Sequence, residues 1–248
     1  MRAHAKPSAD RPRISVIIPA LDEAARLPGL LARLSREMPI PEIIVADGGS
    51  RDGTDRRALD QGARLVRSAP GRGQQLSTGA AAAGGDILLF LHADTDFPAG
   101  GLARIAETLD AGPEILGGNF RLVFDGATRF SRWLTGFYAR IRARGLYYGD
   151  SAIFVRAGTY RALGGFRPIA LMEDYDFTRR LERTGRTCCI AEPPLVTSSR
   201  RFDGRHPIAI VWGWLKIHAL FHLGVPPRRL AGLYEAQRAG ADWRAGAS

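Results

Sequence analysis

The feature that most limits the fold of this chain is a repeated alternation in its first half. Short apolar runs end in polar or glycine-rich turns, and a helical pattern follows each turn. There are four such runs: Ile14–Ile18, Glu42–Ala46, the weaker Arg64–Arg67 and Ile87–Leu91. Strands that alternate with helices predict right-handed crossovers and a mostly parallel sheet flanked by helices. The 248 residues are enough for one α/β domain of this kind.

The second half of the sequence is less regular. It predicts two strands, Gly117–Phe124 and Ala152–Val155, and four helices, Arg129–Arg144, Asp174–Thr184, 208–223 and 227–238. We therefore divide the chain into a disordered arm (1–12), an α/β domain (13–205), a C-terminal helical segment (206–238) and a flexible tail (239–248).

Polar residues follow the predicted strands at the points where the strands end. They are Asp22, Glu23, Asp47, Arg72, Asp94 and Asp96. Ligands of parallel α/β sheets bind outside the carboxyl ends of the strands. We therefore expect these loops to converge on one crevice that holds several carboxylates and at least one guanidinium.

The Asp94-Thr95-Asp96 turn predicts a metal site. Two carboxylates at this spacing offer the hard oxygen ligands that Mg²⁺ and Mn²⁺ prefer. A metal there could bridge a diphosphate and neutralise its charge. The alternative is a solvated pair of turn residues, but a position directly after a buried strand favours the metal site.

Two further acidic positions have a chemical and a structural interpretation, and both stay open. Glu173-Asp174 precedes a helical stretch, where a carboxylate can act as a general base or can stabilise the helix N-terminus. Asp47 precedes Gly48 and Gly49, and its carboxylate can accept hydrogen bonds from a nucleobase or form a turn.

The charge and the cysteines limit the partners and the compartment. The formal net charge is +10, which fits nucleic acid, a phosphate-bearing substrate or an anionic membrane. No basic stripe with interleaved aromatic residues occurs, so we expect no nucleic-acid partner. Cys188 and Cys189 are adjacent and predict two reduced thiols in the core, which favours the cytoplasm.

The motifs together resemble those of family 2 glycosyltransferases, which have the GT-A fold. The similarity runs from about Ile14 to Tyr234 and rests on Ile17–Glu23, Asp47–Thr54, Asp94–Asp96 and Glu173-Asp174. Gly48 stands where the family usually has a second Asp. In more detail, the sequence resembles a compact, single-domain bacterial subgroup of this family. The resemblance lies in Gly71–Leu76, Gly85–Thr95, Tyr148–Asp150, Met172–Phe177 and Ser199–Phe202.

The resemblance implies metal-assisted, inverting transfer of a sugar from a nucleotide-diphosphate sugar, with UDP as the commonest nucleotide of the family. It implies that Asp174 is the base, with Glu173 beside it, and that Asp94 and Asp96 hold Mg²⁺ or Mn²⁺. The remaining positions have implied places on the donor side (Pro19, Glu23, Asp47, Arg72, Asp94), over the pyrophosphate (Arg200, Arg201) and on the acceptor side (Tyr148, Asp150).

Two other functions stay open from the sequence. A sugar nucleotidyltransferase would usually carry a glycine-rich loop with a basic residue after the first strand, which Pro19–Glu23 lacks. A non-catalytic nucleotide-sugar-binding module would not need a base at Asp174. The acceptor is open between a lipid-linked and a small molecule. Residues 207–225 are apolar and aromatic, which fits peripheral contact with the inner face of a membrane, packing over the sheet or a dimer contact.

Overall fold

The structure, a computed structural model, describes residues 12–197 and 206–234. Helices α1 to α8 span Leu27–Leu34, Thr54–Asp60, Arg72–Ala82, Gly101–Ala111, Arg129–Arg142, Ala157–Ala162, Glu173–Thr184 and Pro207–His222. Strands β1 to β7 span Ile14–Ala20, Glu42–Asp47, Arg64–Arg67, Ile87–Phe90, Gly117–Phe124, Ile153–Arg156 and Thr187–Thr197. A 3₁₀ turn occupies Gly149–Ser151, and residues 227–234 are helical.

The seven strands form one sheet in the order β3-β2-β1-β4-β6-β5-β7. Strand β6 is antiparallel to β4 and to β5, and the other neighbouring strands run parallel. Six strands therefore point the same way and one is reversed. The prediction of a mostly parallel α/β sheet flanked by helices is confirmed.

The core has its centre on the strands that the sequence identifies most clearly. All four residues of β4 are buried, and β1 is buried at every position except Pro19. Continuous apolar runs are typical of strands covered on both faces. Helix α3 packs closely on β1, because a Cβ on Gly79 would lie 2.6 Å from Cγ2 of Ile17. A side chain at this position would push the helix off the sheet.

The C-terminal helix α8 packs on the domain along one of its sides. Ile210 joins the main core, and Ile217 joins a smaller cluster with Met172, Tyr175 and Leu230. This cluster covers the beginning of α7. The domain boundary at residue 205 stays a prediction, and most of the arm 1–12 and the whole tail 239–248 lie outside the described residues.

Three local features differ from the sequence-based expectations. The Ala-rich stretch Leu76–Ala83 predicts a helix, but α3 begins four residues earlier, at Arg72. Strand β7 was not predicted, because its sequence contains Pro193 and Pro194; an edge strand tolerates proline, since one side of it needs no ladder partner. Both cysteines are free as predicted, but Cys189 is exposed and does not lie in the core.

Candidate active site

The predicted convergence of strand ends is present in the structure. Strands β2, β1 and β4 are neighbours, and Ala20 at the end of β1 pairs with Asp47 at the end of β2. Because the three strands are parallel, the loops after them leave from the same edge of the sheet. Strand β6 is reversed and begins at this edge, where Ile153 pairs with Phe90. The 3₁₀ turn that precedes β6 therefore joins the same site.

Asp47 is a buried carboxylate that orders the loop after β2. Its two oxygens accept hydrogen bonds from the backbone N–H groups of Gly49 and Ser50, both at 3.2 Å. The guanidinium of Arg67 lies 3.7 Å away. Asp47 therefore forms a turn, one of the two interpretations that the sequence left open. Its contact with a nucleobase stays a prediction.

Gln75 is a site residue to which the sequence assigned no role. Its Nε2 donates to the carbonyls of Ala20, at 2.7 Å, and Ala46, at 3.0 Å, which holds the ends of β1 and β2 together. A Cβ on Gly48 would lie 3.0 Å from the same nitrogen. The side chain of Gln75 thus fills the space that a residue larger than glycine would need at position 48. The sequence offers only a weak signal for this role, a Gln directly before an Ala-rich helical stretch.

Hydrogen bonds connect the loop after β1 to the loop after β2. Asp22 accepts from the N–H of Arg51 at 2.8 Å, and the N–H of Glu23 donates to Thr54 Oγ1 at 2.8 Å. The Glu23 carboxylate itself pairs with Arg26 at 3.2 Å. The backbone of Glu23 is therefore fixed at the edge of the site, while its carboxylate pairs with Arg26, directly before α1.

Arg72 lies at the centre of the site. It is the first residue of α3, and it forms ion pairs with both acids at the beginning of α7: its Nε contacts Glu173, and its Nη2 lies 3.4 Å from Oδ2 of Asp174. Gly73 allows this close contact, because a Cβ there would lie 3.2 Å from Cβ of Glu173 in α7 and 2.5 Å from the Arg167 carbonyl in the loop before α7. The sequence placed Arg72 on the donor side and did not foresee its pairing with the acidic pair.

Glu173 and Asp174 differ in their surroundings. Glu173 is 1% exposed, and burial raises the pKa of its carboxyl although the Arg72 charge opposes this shift. Asp174 is also buried, but its oxygens have several donors: Oδ2 accepts from the N–H of Gly149 at 2.8 Å, and Oδ1 from the N–H of Tyr175 at 2.7 Å. The guanidinium of Arg72 is the third donor to Asp174. Charge-assisted hydrogen bonds of this kind stabilise an ionised carboxylate.

His92 and Tyr148 lie beside Asp174. A Cβ on Gly149 would be 3.0 Å from Nε2 of His92 and 3.2 Å from Oδ2 of Asp174, so both groups border the same small space. Burial lowers the pKa of His92, and the nearby Arg72 charge lowers it further, which favours a neutral imidazole. Burial raises the pKa of Tyr148, and the charge of Asp174 adds to this. Asp150 acts on both Arg72 and His92 electrostatically.

Asp94 and Asp96 lie on the turn after β4, and both are exposed. Asp96 pairs with Arg33 of α1 at 3.0 Å. In the described part of the chain, no group of three or more His, Cys, Asp or Glu side chains is arranged to hold a metal ion. The two carboxylates can therefore supply at most part of a coordination shell. Arg200 and Arg201 lie outside the described residues.

The fold and the acidic edge of the sheet define the class of protein: a glycosyltransferase with the GT-A fold. The chain belongs to glycosyl transferase family 2, whose family model matches residues 15–163.

The curated relatives match over shorter stretches. Glucosyl-3-phosphoglycerate synthase of Mycobacterium tuberculosis is 37% identical over 92 residues, which is 33% of this chain and 28% of that enzyme. An uncharacterized glycosyltransferase of the same organism is 32% identical over 111 residues, 44% of this chain and 50% of the relative. The chain thus spans well under two thirds of these relatives.

Solved structures share the fold over most of the chain. A mannosyltransferase from Pyrobaculum calidifontis in complex with GDP-Man and Mn²⁺ aligns with a TM-score of 0.65 and 21% identity, covering 96% of this chain and 76% of that one. The Mycobacterium tuberculosis synthase in complex with Mn²⁺, UDP and glucosyl-3-phosphoglycerate aligns with a TM-score of 0.56 and 25% identity, covering 73% and 70%.

Proposed function

We propose that the protein transfers a sugar from a UDP-linked donor to an acceptor hydroxyl, with inversion at the anomeric carbon. Asp174 acts as the general base, and Asp94 and Asp96 would hold the Mg²⁺ or Mn²⁺ ion that supports the reaction at the diphosphate. One observation carries the proposal: Arg72 joins the acidic edge of the parallel strands to the Glu173-Asp174 pair. The UDP and Mn²⁺ bound to the mycobacterial synthase support the donor and the metal.

The chemistry of Asp94 and Asp96 fits the metal. Mg²⁺ binds through one or two carboxylates, with phosphate oxygens and water completing its shell. Two exposed carboxylates on one turn offer this arrangement, provided that Asp96 exchanges its contact with Arg33. When bound, the metal would neutralise charge on the departing diphosphate.

The role of Asp174 follows from its position and its partners. An acceptor hydroxyl at Oδ2 would give its proton to Asp174 while its oxygen bonds to the anomeric carbon. The bond from that carbon to the diphosphate oxygen breaks on the opposite face. Glu173, buried against Arg72, holds the guanidinium in place. A neutral His92 adds no second positive charge beside the base.

The donor and acceptor sides occupy different loops. We assign the nucleoside to the loops around Pro19, Glu23 and Asp47, and the pyrophosphate to Arg72 with Arg200 and Arg201. The acceptor side contains Tyr148 and Asp150. The acceptor is a lipid-linked or a small molecule, and contact of residues 207–225 with the inner face of a membrane would favour the first. Two free thiols fit a cytoplasmic location.

The test begins with nucleotide binding. Thermal shift and calorimetry with UDP-, GDP- and dTDP-sugars, with and without Mn²⁺, would compare the wild type with Asp96→Asn and with Asp110→Asn. Asp110 is an exposed carboxylate at the end of α4, on the opposite edge of the sheet, and serves as the control. We expect UDP-sugar binding that needs Mn²⁺, is at least about tenfold weaker in Asp96→Asn and is unchanged in Asp110→Asn.

Turnover then distinguishes the enzyme from its alternatives. Asp174→Asn should bind the donor normally but lose about 10²–10⁴-fold in transfer or donor hydrolysis. Binding without any turnover by the wild type, over a broad acceptor screen, would favour the binding module. Sugar phosphate made from the donor and pyrophosphate would favour the nucleotidyltransferase. If no nucleotide sugar binds a well-folded sample, the proposal is wrong.

A further inference from the structure

The outer side of α8 is apolar and exposed. Ile208, Trp212 and Leu215 are 62%, 67% and 56% exposed, and their spacing of four and three residues puts them on one side of the helix. The opposite side is buried through Ile210 and Ile217. Surface helices normally carry polar residues on their outer side, and helices that are apolar all round are normally covered all round.

Helix α5 extends this apolar surface. A row of stacked aromatic rings runs along it through Phe130, Trp133 and Phe137, with centroids 5.7 and 5.1 Å apart, and reaches Trp214 of α8 at 6.4 Å. Trp133 is 41% exposed. We call the surface formed by Ile208, Trp212, Leu215 and Trp133 the docking face.

The two chain segments that carry the docking face contain charged residues of one sign only. Residues 126–149 and 206–234, which contain both helices, include eight Arg or Lys residues and no Asp or Glu. One of the eight, Arg142, pairs with Glu182 of α7. The seven others are exposed: Arg129, Arg132, Arg140, Arg144, Lys216, Arg228 and Arg229.

We propose that the docking face binds the surface of an anionic phospholipid bilayer. Exposed Trp and aliphatic side chains enter the boundary between headgroups and acyl chains, while Arg and Lys contact anionic headgroups. None of the described helices is long and apolar enough to cross a membrane, so the helices lie on the bilayer. A second copy is the less favourable occupant, because pairing the face with itself would bring two cationic surfaces together.

Helix α8, which carries three of the four residues of the docking face, also contacts the acceptor side. Nε2 of His218 lies 3.0 Å from the Tyr148 hydroxyl, and Nε2 of His222 lies 3.0 Å from the Tyr175 hydroxyl. Tyr148 and Tyr175 flank the two ends of the Asp174–Gly149 hydrogen bond. His218 and His222 follow Leu215 by three and seven residues, which puts them on the adjoining side of α8, so a docked bilayer would lie next to the acceptor side. Binding of the docking face to a bilayer does not depend on the proposed function. The further consequence, that the bilayer also holds the acceptor, rests on it.

The test is flotation with vesicles. We expect the wild type to float with phosphatidylcholine vesicles that contain phosphatidylglycerol, to release at high salt, and to float poorly with phosphatidylcholine alone. The double variant Trp212→Ser/Leu215→Ser should partition at least about tenfold more weakly. Both side chains are more than half exposed, so the variant should fold. Leu59→Ser, which removes a 57% exposed side chain from α2, is the control and should float like the wild type.

Other results would overturn the proposal. Equal flotation of the wild type and Trp212→Ser/Leu215→Ser, or no flotation at low salt, would exclude a bilayer at this face. A dimer that dissociates in the same double variant would assign the face to a second copy. Vesicle binding that begins only when residues 235–248 are removed would assign it to the end of the chain itself. Each of these results leaves Mn²⁺-dependent donor binding intact, so failure here is distinct from failure of the transferase proposal.

Discussion

Replacing Arg72 with Met should destabilise the protein because it leaves two buried acids without their shared cation. Removing one partner of a fully buried ion pair costs about 3–5 kcal/mol. Arg72 is 40% exposed along its side chain, and water screens part of its charge, while Glu173 is 1% exposed. We therefore expect a loss near the value for a charged hydrogen bond, about 1.5–3 kcal/mol of unfolding free energy at pH 8.

The loss should depend on pH, because burial raises the pKa of Glu173 in the folded state. A raised carboxyl pKa means that the folded protein holds the proton more tightly than the unfolded chain. Stability from this group is then full below the unfolded pKa and falls as the pH rises toward the folded pKa. Arg72 lowers the folded pKa and so limits this fall. Arg72→Met should accordingly be less destabilising at about pH 5 than at about pH 8.

Urea unfolding of the wild type and three variants at the two pH values would measure this. Adding Glu173→Gln to Arg72→Met removes the buried ionisable group, and we expect it to recover at least half of the loss at pH 8. Arg104→Met is the control, because Arg104 and Glu107 form an exposed pair whose loss should cost below about 0.5 kcal/mol. The reasoning is refuted if Arg72→Met is no less stable than Arg104→Met at pH 8, or if its loss is the same at both pH values.

Two glycines, with a third as a control, allow further tests. Gly73→Ala would place a Cβ 2.5 Å from the Arg167 carbonyl and should destabilise by about 1–3 kcal/mol, measured by urea unfolding. Gly29→Ala in α1, where a Cβ meets nothing within 4 Å, is its counterpart and should stabilise by about 0.5–1 kcal/mol; equal effects would contradict the close contact between α3 and α7. Gly48→Ala should displace the Gln75 side chain and cost roughly 1 kcal/mol for each carbonyl that loses its donor. Unchanged unfolding of Gly48→Ala would show that Gln75 does not hold the strand ends.

The sequence was sufficient for the parallel half of the fold. Strands such as β1 and β4 are continuous apolar runs that end in polar turns, so both their existence and the common edge of their loops could be predicted. Contacts across long stretches of chain could not. Arg72 and Glu173 are separated by 101 residues, and no local pattern indicates that they pair. Strand β7 could not be predicted for a different reason. Its two prolines argue against a strand, and they are tolerated only because β7 lies at the edge of the sheet.

The site exists because one strand is reversed. An antiparallel strand begins at the edge where its parallel neighbour ends, so the reversal of β6 brings Gly149 to the edge occupied by His92. The N–H of Gly149 then reaches Asp174, which anchors the beginning of α7 at the same edge. Arg72 closes the arrangement from the other side, where α3 follows the parallel strands. If β6 were parallel, its first residues and the turn before them would lie at the opposite edge of the sheet. The Glu173-Asp174 pair would then lose the N–H donor of Gly149. It would also lose its place beside the carboxyl ends of β1, β2 and β4.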